Sequence, residues 1–218
     1  MLGFRRNYKQ YTYVETSSPT VVSEDFLALV KTQLRITPDD TTEDSYLSLL
    51  INVAYQYAQN YTRRTLLTTS FTTYRDDFNV CCFELRRSPF QSIQSIEYLL
   101  NNVLTVLDTS KYYTTTESFY AKVLRAPDQE WPFKIDCRQQ AIQIDFTAGY
   151  GNNYTDLPSD LLMALLQHIT MLYESRGDCS DSACASALPA QSKMIYDMYR
   201  ISDITATQDC GEVYRAYM

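Results

Sequence analysis

Four segments of this chain carry apolar residues at helical spacing, and between the second and third lies a block in which apolar and polar residues alternate. Phe26, Leu27, Val30 and Leu34 follow Ser23-Glu24-Asp25. A serine ahead of two acids is a good N-cap, so the spacing predicts a short helix over 23–35. Pro38-Asp-Asp-Thr-Thr42 ends it and is expected to cap the next. From Glu43 to about Arg63, a broad stripe of Leu47, Leu50, Ile51, Ala54, Tyr57, Ala58 and Tyr61 predicts an amphipathic helix. The short loop makes the two an antiparallel pair.

The alternating block predicts short strands over Thr68–Phe78, Val80–Leu85, Ile93–Leu99, Tyr112–Thr115, Tyr120–Leu124 and Ala141–Phe146. Asn101-Asn102 and Asp108-Thr-Ser supply turn residues between them. A third helix is expected over 158–175, with Pro158 in its first turn. It has almost no polar face, and a helix greasy on most sides needs neighbours on most sides. Leu162, Leu165, Ile169 and Leu172 lie on one side of it, and Met163, Leu166 and Met171 on another.

After a polar linker over 177–187, Pro189 opens a fourth helix that reaches about Arg200. Met194, Ile195, Met198 and Tyr199 form its apolar stripe. The linker predicts a helix that swings independently and finds its partner outside its own core. Residues 1–20 and 202–218 read as arms. The expected class is α+β: a bundle of about four helices with a small antiparallel sheet or sandwich inserted, and extended terminal arms. The core spans 21–176, made of a helix pair over 23–63, a β block over 68–147 and the helix over 158–175. The segment 188–218 carries the last helix and arm.

Charge and composition narrow the function. Nineteen Lys and Arg against 26 Asp and Glu give a net charge of −7. Tight binding to a phosphate backbone is therefore not expected, although DNA could slide past an acidic or neutral wall. The start, Met1-Leu-Gly-Phe-Arg-Arg, lacks the apolar stretch of a secretory signal, and the longest apolar run, Leu161 to Leu166, is far short of a membrane span.

Six cysteines without a secretory signal are expected to be reduced and packed as small hydrophobes. Cys81 and Cys82 would point to opposite faces of a strand. Cys179 and Cys184 lack the second pair or neighbouring His that a zinc site needs, so no metal is assigned.

Catalysis has little to stand on. His168, the sole histidine, is flanked by Leu165, Ile169 and Leu172 and reads as a hydrogen-bonded packing residue. Gly149-Tyr-Gly151 lacks the rest of a phosphate loop and reads as a strand-ending turn. Asp39-Asp40 and Asp76-Asp77 fall where capping or solvated carboxylates belong. The tyrosines of the second helix read as core or subunit interface rather than a platform for bases. No cofactor is expected.

Several motifs taken in order carry a resemblance. A helix pair precedes Arg87-Ser-Pro-Phe-Gln-Ser-Ile-Gln-Ser-Ile96, then Trp131-Pro132 and Phe146-Thr-Ala-Gly-Tyr150. Leu157-Pro-x-x-Leu-x-x-Ala, Tyr173-Glu-x-Arg176, Leu188-Pro189 and Tyr199-Arg200 follow. From Val21 to Ser202 the chain resembles the head-to-tail connector, or adaptor, family of tailed double-stranded DNA bacteriophages.

The resemblance implies a structural virion protein at the head-tail junction, assembled from the host cytoplasm. About twelve copies would form a ring under the portal protein, continue the DNA channel without gripping the genome, and offer a surface to the next neck or tail protein. It places the ring contacts on the second and third helices, at Leu47, Ile51, Tyr57, Leu162, Leu165, Ile169 and Leu172. Portal docking falls to Met194, Ile195, Tyr196, Met198, Tyr199 and Arg200. No membrane partner is implied. The alternative is a secreted or surface binding module stapled by disulfides, resting on the six cysteines and 19 tyrosines.

Overall fold

A computed structural model describes residues 13–78, 82–116, 119–132, 134–176 and 188–201. The helices are α1 (Glu24–Leu34), α2 (Asp44–Thr62), α3 (Ser159–Ser175) and α4 (Ala190–Tyr199). Between α2 and α3 lie seven of the eight strands: β2 (Thr69–Arg75), β3 (Cys82–Leu85), β4 (Phe90–Leu100), β5 (Val103–Val106), β6 (Tyr112–Thr115), β7 (Ala121–Arg125) and β8 (Ile142–Ala148). The eighth, β1 (Tyr13–Ser17), precedes α1. The α+β class holds, with helices bundled apart from antiparallel sheets.

The capping serine is where the sequence puts it: Ser23 accepts from the Phe26 amide at 3.2 Å. The next loop works differently from expectation. Asp40 accepts from the amide and hydroxyl of Thr42 rather than capping α2, whose N-cap Glu43 makes no side-chain cap bond. What fixes the loop is Lys31, buried at the end of α1. Its ammonium donates to the carbonyls of Pro38 and Asp40 and pairs with Asp44 at 2.6 Å. A buried cation is tolerable only with such partners.

Two apolar clusters hold the protein. The first gathers Phe26 and Val30 of α1, Leu47, Leu50, Ile51 and Ala54 of α2, Leu161, Leu165 and Ile169 of α3, and Ile195 and Tyr196 of α4. The expectation of an independently swinging last helix is therefore overturned. Tyr196 is fully buried, Ser192 donates to the Ala164 carbonyl at 3.0 Å, and the Ile201 amide donates to the Thr62 carbonyl. A helix of about three turns is marginal alone and is held by the face it buries.

The second cluster lies between a five-stranded sheet, in the order β1-β2-β8-β4-β5, and a three-stranded sheet, β3-β7-β6. All pairings between these strands are antiparallel. Phe71 faces Phe146 across β2 and β8, and Trp131 stacks on Phe78 with centroids 5.2 Å apart. Two strands were not expected from the sequence. Residues 13–17, expected in an arm, pair with β2, and Val103–Val106 complete a hairpin with β4. Cys82 is disulfide-bonded, contrary to the expectation of reduced thiols, whereas Cys137 is free and exposed. Cys81, Cys179, Cys184, residues 1–12 of the first arm and residues 202–218 lie outside the described residues.

The clusters meet at one seam. Leu66 and Leu67 leave α2 into the bundle core, while the Tyr150 amide donates to the Leu66 carbonyl and the Gly149 amide to the Pro89 carbonyl. Gly149 has φ +138°, and a Cβ there would sit 2.5 Å from the Leu67 carbonyl carbon. Only glycine fits, because it lacks the atom that would clash. Gly149-Tyr-Gly151 is thus the turn after β8.

Candidate assembly surfaces

The residues expected at subunit contacts divide by depth. Leu47, Ile51, Leu165 and Ile169 are buried within this chain's own bundle, and Tyr57, Leu162 and Leu172 are half-buried at its edge. The apolar residues left outside are others: Leu49 and Val53 on α2, one turn apart, and Met163 on α3. Of the second face suggested for α3, Leu166 packs inward and Met171 is half-buried.

The last helix divides the same way. Ile195 and Tyr196 belong to the core and Tyr199 is half-buried, while Met194 and Met198 are 63% and 72% exposed and Arg200 is exposed. Hydrogen bonds from Gln167 to Gln191 and from Tyr199 to Asp160 set α4 antiparallel to α3. Helical spacing then puts Met194 and Met198 on the flank nearest Met163. Unbranched thioether side chains adapt to irregular partner surfaces.

A ring of polar contacts locks this face. Tyr61 donates to Asp197 at 2.5 Å, and Lys193 pairs with the same carboxylate at 2.8 Å. These two contacts, the lysine first, hold Asp197 below the usual carboxylate range. At the far end of α3, Tyr173 and Arg176 both reach Glu43 at 2.5 Å and lower its pKa likewise.

His168 sits inside the bundle, edge-on to Tyr57 and Tyr196 with centroids 5.2 and 6.3 Å away. It packs as expected, but its Nδ1 has no hydrogen-bond partner among the described residues. Burial lowers its pKa from 6.5 to about 4, so it is neutral at pH 7 and unsuited to act as a base on an outside substrate.

A second surface is the β4–β5 hairpin. Asn101 and Asn102 both take positive φ, as a two-residue turn of this kind requires. Their amides donate to the two carboxylate oxygens of Asp136 at 2.9 and 2.7 Å, which stiffens the tip. Val103, Leu104 and Val106 stand exposed on this edge strand. An apolar edge with unpaired backbone groups is a ready docking template.

The third surface is a cleft of about 200 Å³ between the last turns of α2, the end of β1 and the start of β2. Arg63, Arg64 and Arg87 line it together with Glu15, Gln56 and Asn60. Arg64 is fixed by bonds to the Tyr199 carbonyl and Ser88 hydroxyl. Sequence reasoning passed over this cluster, although two Arg-Arg pairs in an acidic chain, 63–64 and 86–87, signalled it.

Among the described residues no His, Cys, Asp and Glu cluster could hold a metal ion, and no helix is long and apolar enough to cross a membrane. Asp76 accepts from the Gln140 amide at 3.0 Å, a structural use of one suspected acid.

The family model described as phage gp6-like head-tail connector protein matches residues 24–117, which bears out the resemblance over that stretch, the helix pair and Arg87–Ile96 included. A chain in the neck of an empty GTA particle, computed with C6 symmetry, is similar with a TM-score of 0.72 and 18% identity, over 90% of this chain and 99% of that one. A chain from the virion of a native gene transfer agent particle gives 0.70 and 20%, over 89% and 98%. One from the neck of a native GTA particle, computed with C12 symmetry, gives 0.66 and 18%, over 90% and 99%. At such identities the likeness is one of fold. No curated protein matches the chain.

Proposed function

We propose that this chain, similar to the phage gp6-like head-tail connectors over residues 24–117, is a structural connector in the neck of a phage-like particle. Its copies form a ring under the portal protein, continue the DNA channel and present a surface to the next neck or tail protein. The observation that carries the reading is the likeness in fold, over nine-tenths of the chain, to a chain in a neck computed with C6 symmetry. The leftover apolar surface supports it. Leu49, Val53 and Met163 are exposed beside the half-buried Tyr57, Leu162 and Leu172 on the helices that the resemblance assigns to ring contacts. The buried members, Leu47, Ile51, Leu165 and Ile169, hold those helices in place.

Portal docking falls to the outer side of α4, where Met194, Met198 and Arg200 are exposed and Tyr199 is half-buried, with Ile195 and Tyr196 anchoring the helix from within. The net charge of −7 suits a lumen through which DNA slides unbound. Native mass of the full chain, alone and with its portal, tests the reading. A closed oligomer on the portal is expected; a chain that stays monomeric in both conditions contradicts it.

A further inference from the structure

Arg63, Arg64 and Arg87 line the cleft at the carboxyl end of α2, with Glu15 beside them. Arg87 is the least satisfied of them. Its guanidinium carbon lies 5.2 Å from the Tyr13 ring centre and 5.1 Å from that of Phe71, and its Nε is buried without a hydrogen-bond partner among the described residues. Stacking on aromatic faces holds the fork rigid at little further entropic cost on binding, and a planar fork matches a carboxylate edge to edge. Glu15 is the one acid among the described residues that line the cleft, beside three arginines. For a chain of net charge −7 this is a local inversion of sign.

At the opposite end of the same helix the sign reverses again. Asp39 and Asp40 are exposed on the loop before α2, and Thr42 fixes the Asp40 carboxylate in place. The 19 residues of α2 separate loop and cleft by about 28 Å. The rod thus carries exposed carboxylates on the loop at one end and arginines in the cleft at the other. Opposite ends attract and like ends repel, which favours head-to-tail addition of copies over face-to-face pairing.

We propose that the cleft of Arg63, Arg64 and Arg87 receives the Asp39-Asp40 loop of a neighbouring copy, so that carboxylate capture by Arg87 sets the direction in which the ring is built. The inference rests on the ring reading above and adds to it a specific contact.

The test uses two full-length variants, Arg63→Glu with Arg87→Glu, which leaves one arginine against three carboxylates in the cleft, and Asp39→Arg with Asp40→Arg. In each alone, every contact sets like charges together, so neither forms the ring that the unaltered protein forms on its portal. Mixed in equal amounts, each variant's loop complements the other's cleft, and ring mass returns in alternating copies. An unfolded variant could not be rescued in this way. If the unaltered protein forms rings and the mixture does not, or if both variants assemble alone, the contact is wrong while the ring reading stands. Absence of rings from the unaltered protein removes both. If Arg63→Glu with Arg87→Glu assembles normally but weakens binding of duplex DNA, the cleft serves phosphate and the proposal falls.

Discussion

The bundle and the β block solve the same problem with different materials. In the bundle, one core draws aliphatic residues from four helices and admits polar aromatics, among them His168 and Tyr196, whose buried Nδ1 and hydroxyl find no partner among the described residues. The β block instead packs Phe71, Phe78, Phe83, Phe146 and Trp131 between two sheets. Its polar side chains bond across the sheet, as Ser95 does to Asp145, and at the turns, where Asp136 holds the hairpin tip. The bundle is thus the half whose stability depends on pH and on its last helix. The block is the half whose shape is fixed by turns.

The largest expected effect tests whether α4 belongs to the bundle. Tyr196→Ala should cost about 3–5 kcal/mol, measured by denaturant unfolding, because a large side chain leaves the core. Tyr196→Phe should be neutral or stabilising, since it deletes a buried hydroxyl without a partner. An unchanged midpoint in Tyr196→Ala would return α4 to the status of a loose arm.

Next comes pH. The folded His168 pKa is about 4 against an ordinary 6.5, so the unfolded chain takes up its proton first as pH falls. The contribution is fully present above about pH 6.5 and is lost between there and pH 4, on the order of 3 kcal/mol. His168→Phe should flatten unfolding free energy across that window; an unchanged slope would mean the histidine is not desolvated.

A smaller effect is expected in the block, where Asp136→Ala removes two bonds to the hairpin turn. It should lower stability by about 1 kcal/mol and raise amide exchange at Asn101 and Asn102. The smallest belongs to the surface. Met194→Ser with Met198→Ser should move stability by no more than about 0.5 kcal/mol. The same variant should nonetheless lose binding to portal-bearing capsids, measured by co-sedimentation.

How much of this was legible follows the same division. Helices declare themselves locally, through caps and spacing, and α1 to α4 fall within about a residue of their expected ends. The edge strands β1 and β5 did not, because Tyr13–Ser17 and Val103–Val106 are strands only by virtue of neighbours elsewhere in the chain. Candidate contacts were harder still. An apolar helix reveals that it has two greasy faces, not which one its own fold will use. Leu165 went inward and Met163 outward from the same stripe-rich segment. The arginine cleft escaped for a related reason: Tyr13, Arg63 and Arg87 are far apart in sequence, and only the seam between bundle and block brings them together.

The central claim is that this chain repeats around the axis of a particle's neck. Imaging the neck without imposed symmetry tests it most directly. The account predicts rotationally repeated density that fits the bundle and β block of this chain, with the outer side of α4 against the portal. A neck with no repeated density for this fold would contradict it.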